Sequence, residues 1–234
     1  MNDIKELGIE LTDQQVHQFI RYYEILTEWN SFMNLTAITE FDDVMKKHFT
    51  DSLSLVKVLP DIREKSYRLI DIGTGAGFPG IPLKIAFPHL KVVLLDSLNK
   101  RINFLNEVIQ QLDLNDIYAI HGRAEDFAVK KDYRECFDLC VSRAVANLAT
   151  LSEYCLPFVK KGGYFVSYKS EKIVEELENA NKAIDILGGS FERQESFYLP
   201  SSDIFRCLLL INKIKNTPFR YPRKAGLPSK EPIK

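Results

Sequence analysis

Apolar positions follow one rhythm in the first quarter of the chain and another in the rest. Between residues 12 and 60 the spacing is helical. Val16, Phe19, Ile20, Tyr23, Leu26 and Trp29 fall on one face, and Thr12 with Gln15 forms a capping box ahead of them. Residues 29–38 break the rhythm and read as a turn. A second helix is predicted over residues 41–59, stopped by Pro60. No strand pattern precedes residue 67, so these helices are expected to form a separate layer or cap. From Arg68 onward, short apolar runs alternate with helical stretches. Strands are predicted at Arg68–Ile72, Lys91–Asp96, Ile117–His121, 137–141, 164–168 and 206–214, with a weaker one near 191–199. Helices are predicted at 80–87, 99–112, 147–157 and 171–187. Nearly continuous apolar strands joined by helices imply an α/β fold, a parallel sheet covered on both faces. Ligands of such sheets bind at the carboxyl ends of the strands.

The first strand ends in Asp71-Ile72-Gly73-Thr74-Gly75-Ala76-Gly77-Phe78-Pro79-Gly80, a tight glycine turn leading into a helix. Glycines allow the turn its left-handed φ values and let a ligand approach bare backbone N–H groups. Gly75 to Gly80 fits G-x-G-x-x-G literally, which suggests a dinucleotide. Asp71, however, stands just ahead of the first glycine, where it would repel a pyrophosphate and suit an ammonium or sulfonium. That pattern looks like motif I of S-adenosylmethionine (SAM)-dependent methyltransferases.

Other strand ends carry polar groups too. Asp96 closes the second strand, where a carboxylate grips ribose hydroxyls or else caps the next helix. Ala124-Glu125-Asp126 follow the third strand, either as an exposed turn or as a hold on an adenine. Phe78 lines a pocket or joins the core. Arg143, after the fourth strand, is costly to bury alone and should meet a carboxylate of ligand or protein, or a phosphate. His48-Phe49-Thr50-Asp51-Ser52 is polar enough to suspect a site, although a hydrogen-bonded histidine at a junction is the plainer reading.

Composition narrows the class. The 234 residues, 45% apolar and 27% charged, suit one globular domain with an appendage. Four cysteines, Cys136, Cys140, Cys155 and Cys207, form no C-x-x-C pair, so neither a metal site nor a disulfide is expected. No apolar run approaches the ~20 residues of a membrane span. The start has no signal-peptide pattern, so a cytoplasmic location is expected. The net charge of −1 hides an asymmetry: residues 1–60 hold ten acidic against five basic side chains, and residues 212–234 seven basic against one acidic.

Taken together, Leu69 to Gly80, Leu94-Leu95-Asp96-Ser97-Leu98-Asn99-Lys100-Arg101, Arg123-Ala124-Glu125 and Ser142-Arg143-Ala144-Val145-Ala146 closely resemble the bacterial ribosomal small-subunit RNA methyltransferase G family, also called glucose-inhibited division protein B. Trp29-Asn30, Asn34 to Ile38, His48 and Asp51-Ser52-Leu53 match its N-terminal region. Lys215 to Pro218, Tyr221-Pro222-Arg223, Gly226 and Pro228 match its tail. The resemblance implies a Rossmann-like class I SAM-dependent methyltransferase fold, with a mostly parallel seven-stranded sheet and an N-terminal helical cap. The expected divisions are 1–60 for the cap, 61–214 for the methyltransferase domain and 215–234 for a basic tail. It also implies methyl transfer from SAM to N7 of a guanine in 16S ribosomal RNA. Gly73, Phe78, Ala124, Glu125 and Arg143 are implied cofactor contacts with Asp96 at the ribose, and Asp71 and Gly75 join them from the glycine turn.

The chemistry agrees partly by absence. After the fourth strand there is no Asn/Asp-Pro-Pro-aromatic stretch to accept an exocyclic amine. Guanine N7 already offers an in-plane lone pair, so alignment is needed and a general base is not. No catalytic residue is therefore assigned, and Arg143 is the candidate for positioning. Lys100, Arg101, Arg123, Lys213, Lys215, Arg220, Arg223 and Lys224 are expected to make a phosphate track along one rim. The expected substrate is the 30S subunit or its precursor, met by a monomer with no membrane contact. Rival readings are a methyltransferase for another RNA site or a small molecule, an NAD-dependent dehydrogenase, and a ribosome-assembly factor with a vestigial site.

Overall fold

Strand pairing fixes where a ligand can bind. In the computed structural model, β1 (Arg68–Ile72), β2 (Lys91–Asp96), β3 (Ile117–His121), β4 (Phe137–Arg143), β5 (Val159–Lys169), β6 (Gly189–Tyr198) and β7 (Phe205–Lys213) form one sheet in the order β3-β2-β1-β4-β5-β7-β6. β7 runs antiparallel to both its neighbours, and β1 to β5 pair in parallel. The chain winds outward in both directions from β1, so the crevice opens at the carboxyl ends of β1 and β4. The structure describes residues 2–143, 146–170 and 173–234. Ala144 and Val145 of the stretch after β4, and Glu171 and Lys172 at the expected start of the 171–187 helix, lie outside the described residues.

The helices are α1 (Asn2–Glu6), α2 (Asp13–Met33), α3 (Phe41–Val44), α4 (Asp51–Leu53), α5 (Gly80–Ala86), α6 (Asn99–Gln111), α7 (Ala124–Phe127), α8 (Leu148–Cys155), α9 (Val174–Ile186) and α10 (Leu227–Lys230). Thr12 caps α2 with both hydrogen bonds of the box, as its spacing predicts. The expected break at residue 29 comes later, at Asn34, which caps the helix at φ 51°. Trp29 stays helical because it packs edge-on against Phe104 of α6. The helix expected over 41–59 is continuous to Lys57 but widens to π-helical turns at Met45–Thr50, directly over the crevice. β5 starts five residues earlier than the sequence suggests. Val159 pairs with Phe137 and Tyr164 with Leu139, so residues 160–163 loop out of the ladder.

Each face of the sheet is buried, as the apolar strands require. Ile70, Val93, Cys140 and Phe165 face α8 and α9. Leu69, Leu94, Leu139 and Val166 share one cluster with Phe19, Tyr22, Phe49 and Leu53 of the N-terminal helices. Those helices thus pack into the same core as the sheet.

Because β7 is antiparallel, the chain leaves it at the amino-end edge of the sheet, away from the crevice. Lys213 is fully buried there, its Nζ donating to Leu156 O (2.6 Å) and Thr217 Oγ1 (2.7 Å) and lying 3.2 Å from Glu135 Oε1. Burial pushes this amine down to about 8. The tail then runs back across α8 toward the crevice. Among the described residues no helix is long and apolar enough to cross a membrane, and all four cysteines are free.

Candidate active site

The glycine turn is held from below. Asp71, fully buried, accepts from Thr74 Oγ1 (2.7 Å) and from Gly80 N (2.9 Å) through one oxygen, so it ties the two ends of the loop together. Its other oxygen, Oδ1, is buried with no hydrogen-bond partner among the described residues. Burial pushes the carboxyl up to about 7, against the pull of Thr74, Gly80 and Arg143. Tyr22 of α2 props the loop from the side, its hydroxyl donating to Ala76 O. Gly77, at φ 94°, leaves room for that hydroxyl, which a Cβ would meet at 2.6 Å.

Beside the loop lies a slot of about 280 Å³, bounded by Ile72, Gly73, Leu95, Asp96, Ala124, Glu125, Tyr154 and Gly226. Asp96 is buried and accepts from Gly75 N (2.9 Å), Leu98 N (2.9 Å) and Arg101 Nη1 (3.1 Å). Glu125 accepts from Gly226 N (2.8 Å) at the first turn of α7. Apolar walls with a carboxylate at two places suit a nucleoside, whose base is flat and whose ribose offers two hydroxyls. Of the residues singled out in the sequence, Gly73, Asp96, Ala124 and Glu125 line this slot, while Asp71 lies beneath the glycine loop and Gly75 holds Asp96 through its N–H. Phe78 is not in the slot. Its ring is 5% exposed and packs with Tyr22, Phe49 and His48, because burying an aromatic ring in that cluster is worth more than facing a polar crevice.

Arg143 finds the protein carboxylate that its burial calls for. Its Nη1 donates to Asp51 Oδ2 (3.1 Å) and Lys47 O (3.3 Å), and its guanidinium lies 5.0 Å over the Phe78 ring. Asp51 also accepts from Arg206 Nε (2.9 Å), so one buried carboxylate joins α4 to β4 and β7. Arg143 Nη2 approaches His48 Nδ1 at 3.3 Å. A guanidinium only donates, so Nδ1 accepts and Nε2 carries the proton, given to Thr36 Oγ1 at 2.9 Å. Burial, then Arg143, pushes His48 down to about 3, which keeps the ring neutral. His48 thus stands at a junction and also borders a second cavity of about 760 Å³, with Lys47, Asp51, Arg143, Lys169, Glu176 and Arg206.

The expected cationic rim is divided. Lys100, Arg101 and Arg123 stand at the strand carboxyl ends, with Arg101 on Asp96 and Lys100 Nζ 3.5 Å from Met33 O. Lys215 lies at the opposite edge of the sheet, 3.1 Å from Asp185. Lys213 is buried, Arg220 stacks over Tyr221, and Arg223 is committed to Glu153 at 2.7 Å. Lys224 is exposed on the tail. The sequence groups these charges together because it gives no direction for the last strand. Lys47, Lys169, Arg206, Tyr154 and Gly226 line these two cavities, which the sequence does not reveal. They come from five separate elements, and no spacing links them.

The family model for rRNA small subunit methyltransferase G matches residues 15–202. A protein named Ribosomal RNA small subunit methyltransferase G from Lachnoclostridium phytofermentans is 57% identical, over 98% of this chain and 94% of its own. Another of that name, from Alkaliphilus oremlandii, is 58% identical over 97% and 95%. Among solved structures, M. jannaschii TYW2 in complex with AdoMet shares the fold, with a TM-score of 0.53 and 17% identity over 70% of this chain and 77% of that chain.

Proposed function

From the premise that this chain belongs to the rRNA small subunit methyltransferase G family, we propose that it transfers the methyl group of SAM to N7 of a guanine in 16S ribosomal RNA. The observation that carries this reading is the pairing of a nucleoside-sized slot beside Asp96 with a separate, larger cavity beside Arg143.

The residues fit the donor. Among the described residues, Asp71 Oδ1 is a buried acceptor without a donor, under a loop of bare glycine backbone. Asp96 would take the ribose hydroxyls, with Arg101 yielding or sharing Oδ2, and Ala124 and Glu125 would flank the base. When bound, SAM supplies a methyl group made electrophilic by its sulfonium. The larger cavity would admit the guanine. His48 offers no free lone pair there, since Nδ1 is taken by Arg143, so it does not act as a base. N7 needs none. Arg143, fixed by Asp51 and Phe78, holds one wall in place. Lys100, Arg123 and Lys47 would meet phosphates, while Lys169 is held by Glu176 at 2.6 Å.

The substrate is the assembled 30S subunit or its precursor, and the enzyme works as a monomer in the cytoplasm. A net charge of −1 and dispersed cations give little attraction to free RNA. Incubation of 30S subunits and of naked 16S RNA with SAM, then borohydride reduction and aniline scission, tests both points, because only N7-methylated guanine is cut. One cut in 30S-derived RNA and a much weaker one in naked RNA is the expected result. No cut in either rejects N7 chemistry, and equal cuts reject the particle.

Asp71 gives a pH signature. Its carboxyl sits at about 7 in the folded protein against an ordinary 3.8, so the folded chain holds an extra proton between those values. Its contribution to stability thus falls as pH rises from about 4 to 7. A cationic ligand prefers the ionised form. S-adenosylhomocysteine, whose ammonium keeps that preference, is expected to bind up to roughly tenfold more tightly per pH unit between 6 and 7, levelling off by 8. Titration calorimetry should show a flat profile for Asp71→Asn. A wild-type profile just as flat would detach Asp71 from the ligand.

A further inference from the structure

The last eighteen residues are pinned to the body of the protein at successive points. Arg134 donates to Thr217 O (2.7 Å) and to Tyr221 O (2.8 Å). Glu153, fully buried in α8, accepts from Arg223 N (2.8 Å), Nε (3.0 Å) and Nη2 (2.7 Å). Gly226 N donates to Glu125, and Thr150 Oγ1 donates to Pro228 O at 3.0 Å. A carboxylate buried this deeply is expensive unless paired, and the two-pronged guanidinium both neutralises it and fixes the backbone that carries it. The hydrogen bond to Glu153 raises the pKa of Arg223 further.

The clasp sits next to the nucleoside slot. Glu153 holds the tail, and its neighbour Tyr154 lines the slot together with Gly226, three residues past Arg223. The strands supply Ile72 and Leu95 to that slot, and α7 supplies Ala124. Tyr154 and Gly226 of the tail close it from outside the parallel strands and their turns. A flat aromatic base gains most when both faces are covered, one of them by an aromatic ring.

We infer that the C-terminal tail is a fixed wall of the nucleoside slot, latched by the Arg223–Glu153 pair, so that nucleoside affinity depends on two side chains that touch no ligand. This deepens the SAM reading and rests on it. Arg223 and Glu153 are positioning residues, and Tyr154 is a contact.

The test uses the full chain with two probes, S-adenosylhomocysteine and 5′-methylthioadenosine, the second lacking the amino-acid end. Arg223→Met and Tyr154→Ala are expected to weaken both probes by about tenfold or more, by equal factors, because the loss lies at the base. The KM for SAM should rise by a like factor, with kcat on 30S subunits held within about twofold. Tyr154→Phe, which keeps the ring, should restore most of the binding. Tyr154 is half-buried, so its variants keep the question open to refutation if Arg223→Met melts early. Wild type binding neither probe would overturn the SAM reading. Wild type binding both, with Arg223→Met and Tyr154→Ala matching it, would overturn the latch and leave that reading standing.

Discussion

Asp51→Ala is expected to destabilise the protein by about 3 kcal/mol, because removing one partner of a buried ion pair strands the other. Here it strands two. The guanidiniums of Arg143 and Arg206, both mostly buried, share that single carboxylate from opposite oxygens. At 2–4 °C per kcal/mol for a chain of this size, the melting temperature should fall by roughly 6–12 °C. Activity should fall further than stability alone explains. Arg143 is the wall of the larger cavity, and Asp51 is its only ion-pair partner among the described residues. Loss of kcat by about tenfold or more, with S-adenosylhomocysteine affinity nearly kept, is the expected split, since the nucleoside slot does not include Asp51. Asp51→Asn keeps one acceptor and should fall between the two. A melting curve and a kcat for Asp51→Ala equal to wild type would show that the arginines hold themselves in place.

Gly80→Ala carries the second large effect. The added Cβ would lie 2.3 Å from Leu94 Cδ2 and 3.0 Å from Asp71 Oδ2, where α5 meets β1 and β2. Leu94 is fully buried, so it has nowhere to retreat. Overpacking of this kind costs about 1–3 kcal/mol. The displacement also reaches the carboxylate that ties the loop, since Gly80 N donates to the same Asp71 oxygen. S-adenosylhomocysteine binding is therefore expected to drop at least tenfold, measured by calorimetry at a temperature where circular dichroism shows the variant folded. Unchanged affinity in a folded variant would mean that α5 can slide without disturbing the loop.

Most of the strands are legible in the sequence because buried parallel strands are apolar end to end. Arg68–Ile72, Lys91–Asp96 and Ile117–His121 begin and end where the residue pattern places them. The strand-end carboxylates are legible for the same reason, since each is the first polar group after an apolar run. What escapes is set by contacts between distant elements. Nothing local marks Met45–Thr50 as π-helical, or makes Asp51 the partner of Arg143 and Arg206. The basic tail reads as a single rim because composition carries no strand direction. The reversal of β7 sends Lys213 into the core and Lys215 to the far edge. Phe78 turns inward because three aromatic groups of the N-terminal helices meet it there, a contact set by the approach of α2 and the π-turns.

Segments distant in sequence meet at the crevice. Tyr22 of α2 braces the glycine loop, and Gly226 of the tail borders the slot. Ile233, one residue from the end, is itself 9% exposed and packed into the core. Loss of either segment, by proteolysis or local unfolding, therefore leaves the crevice unfinished while every strand of the sheet stays paired.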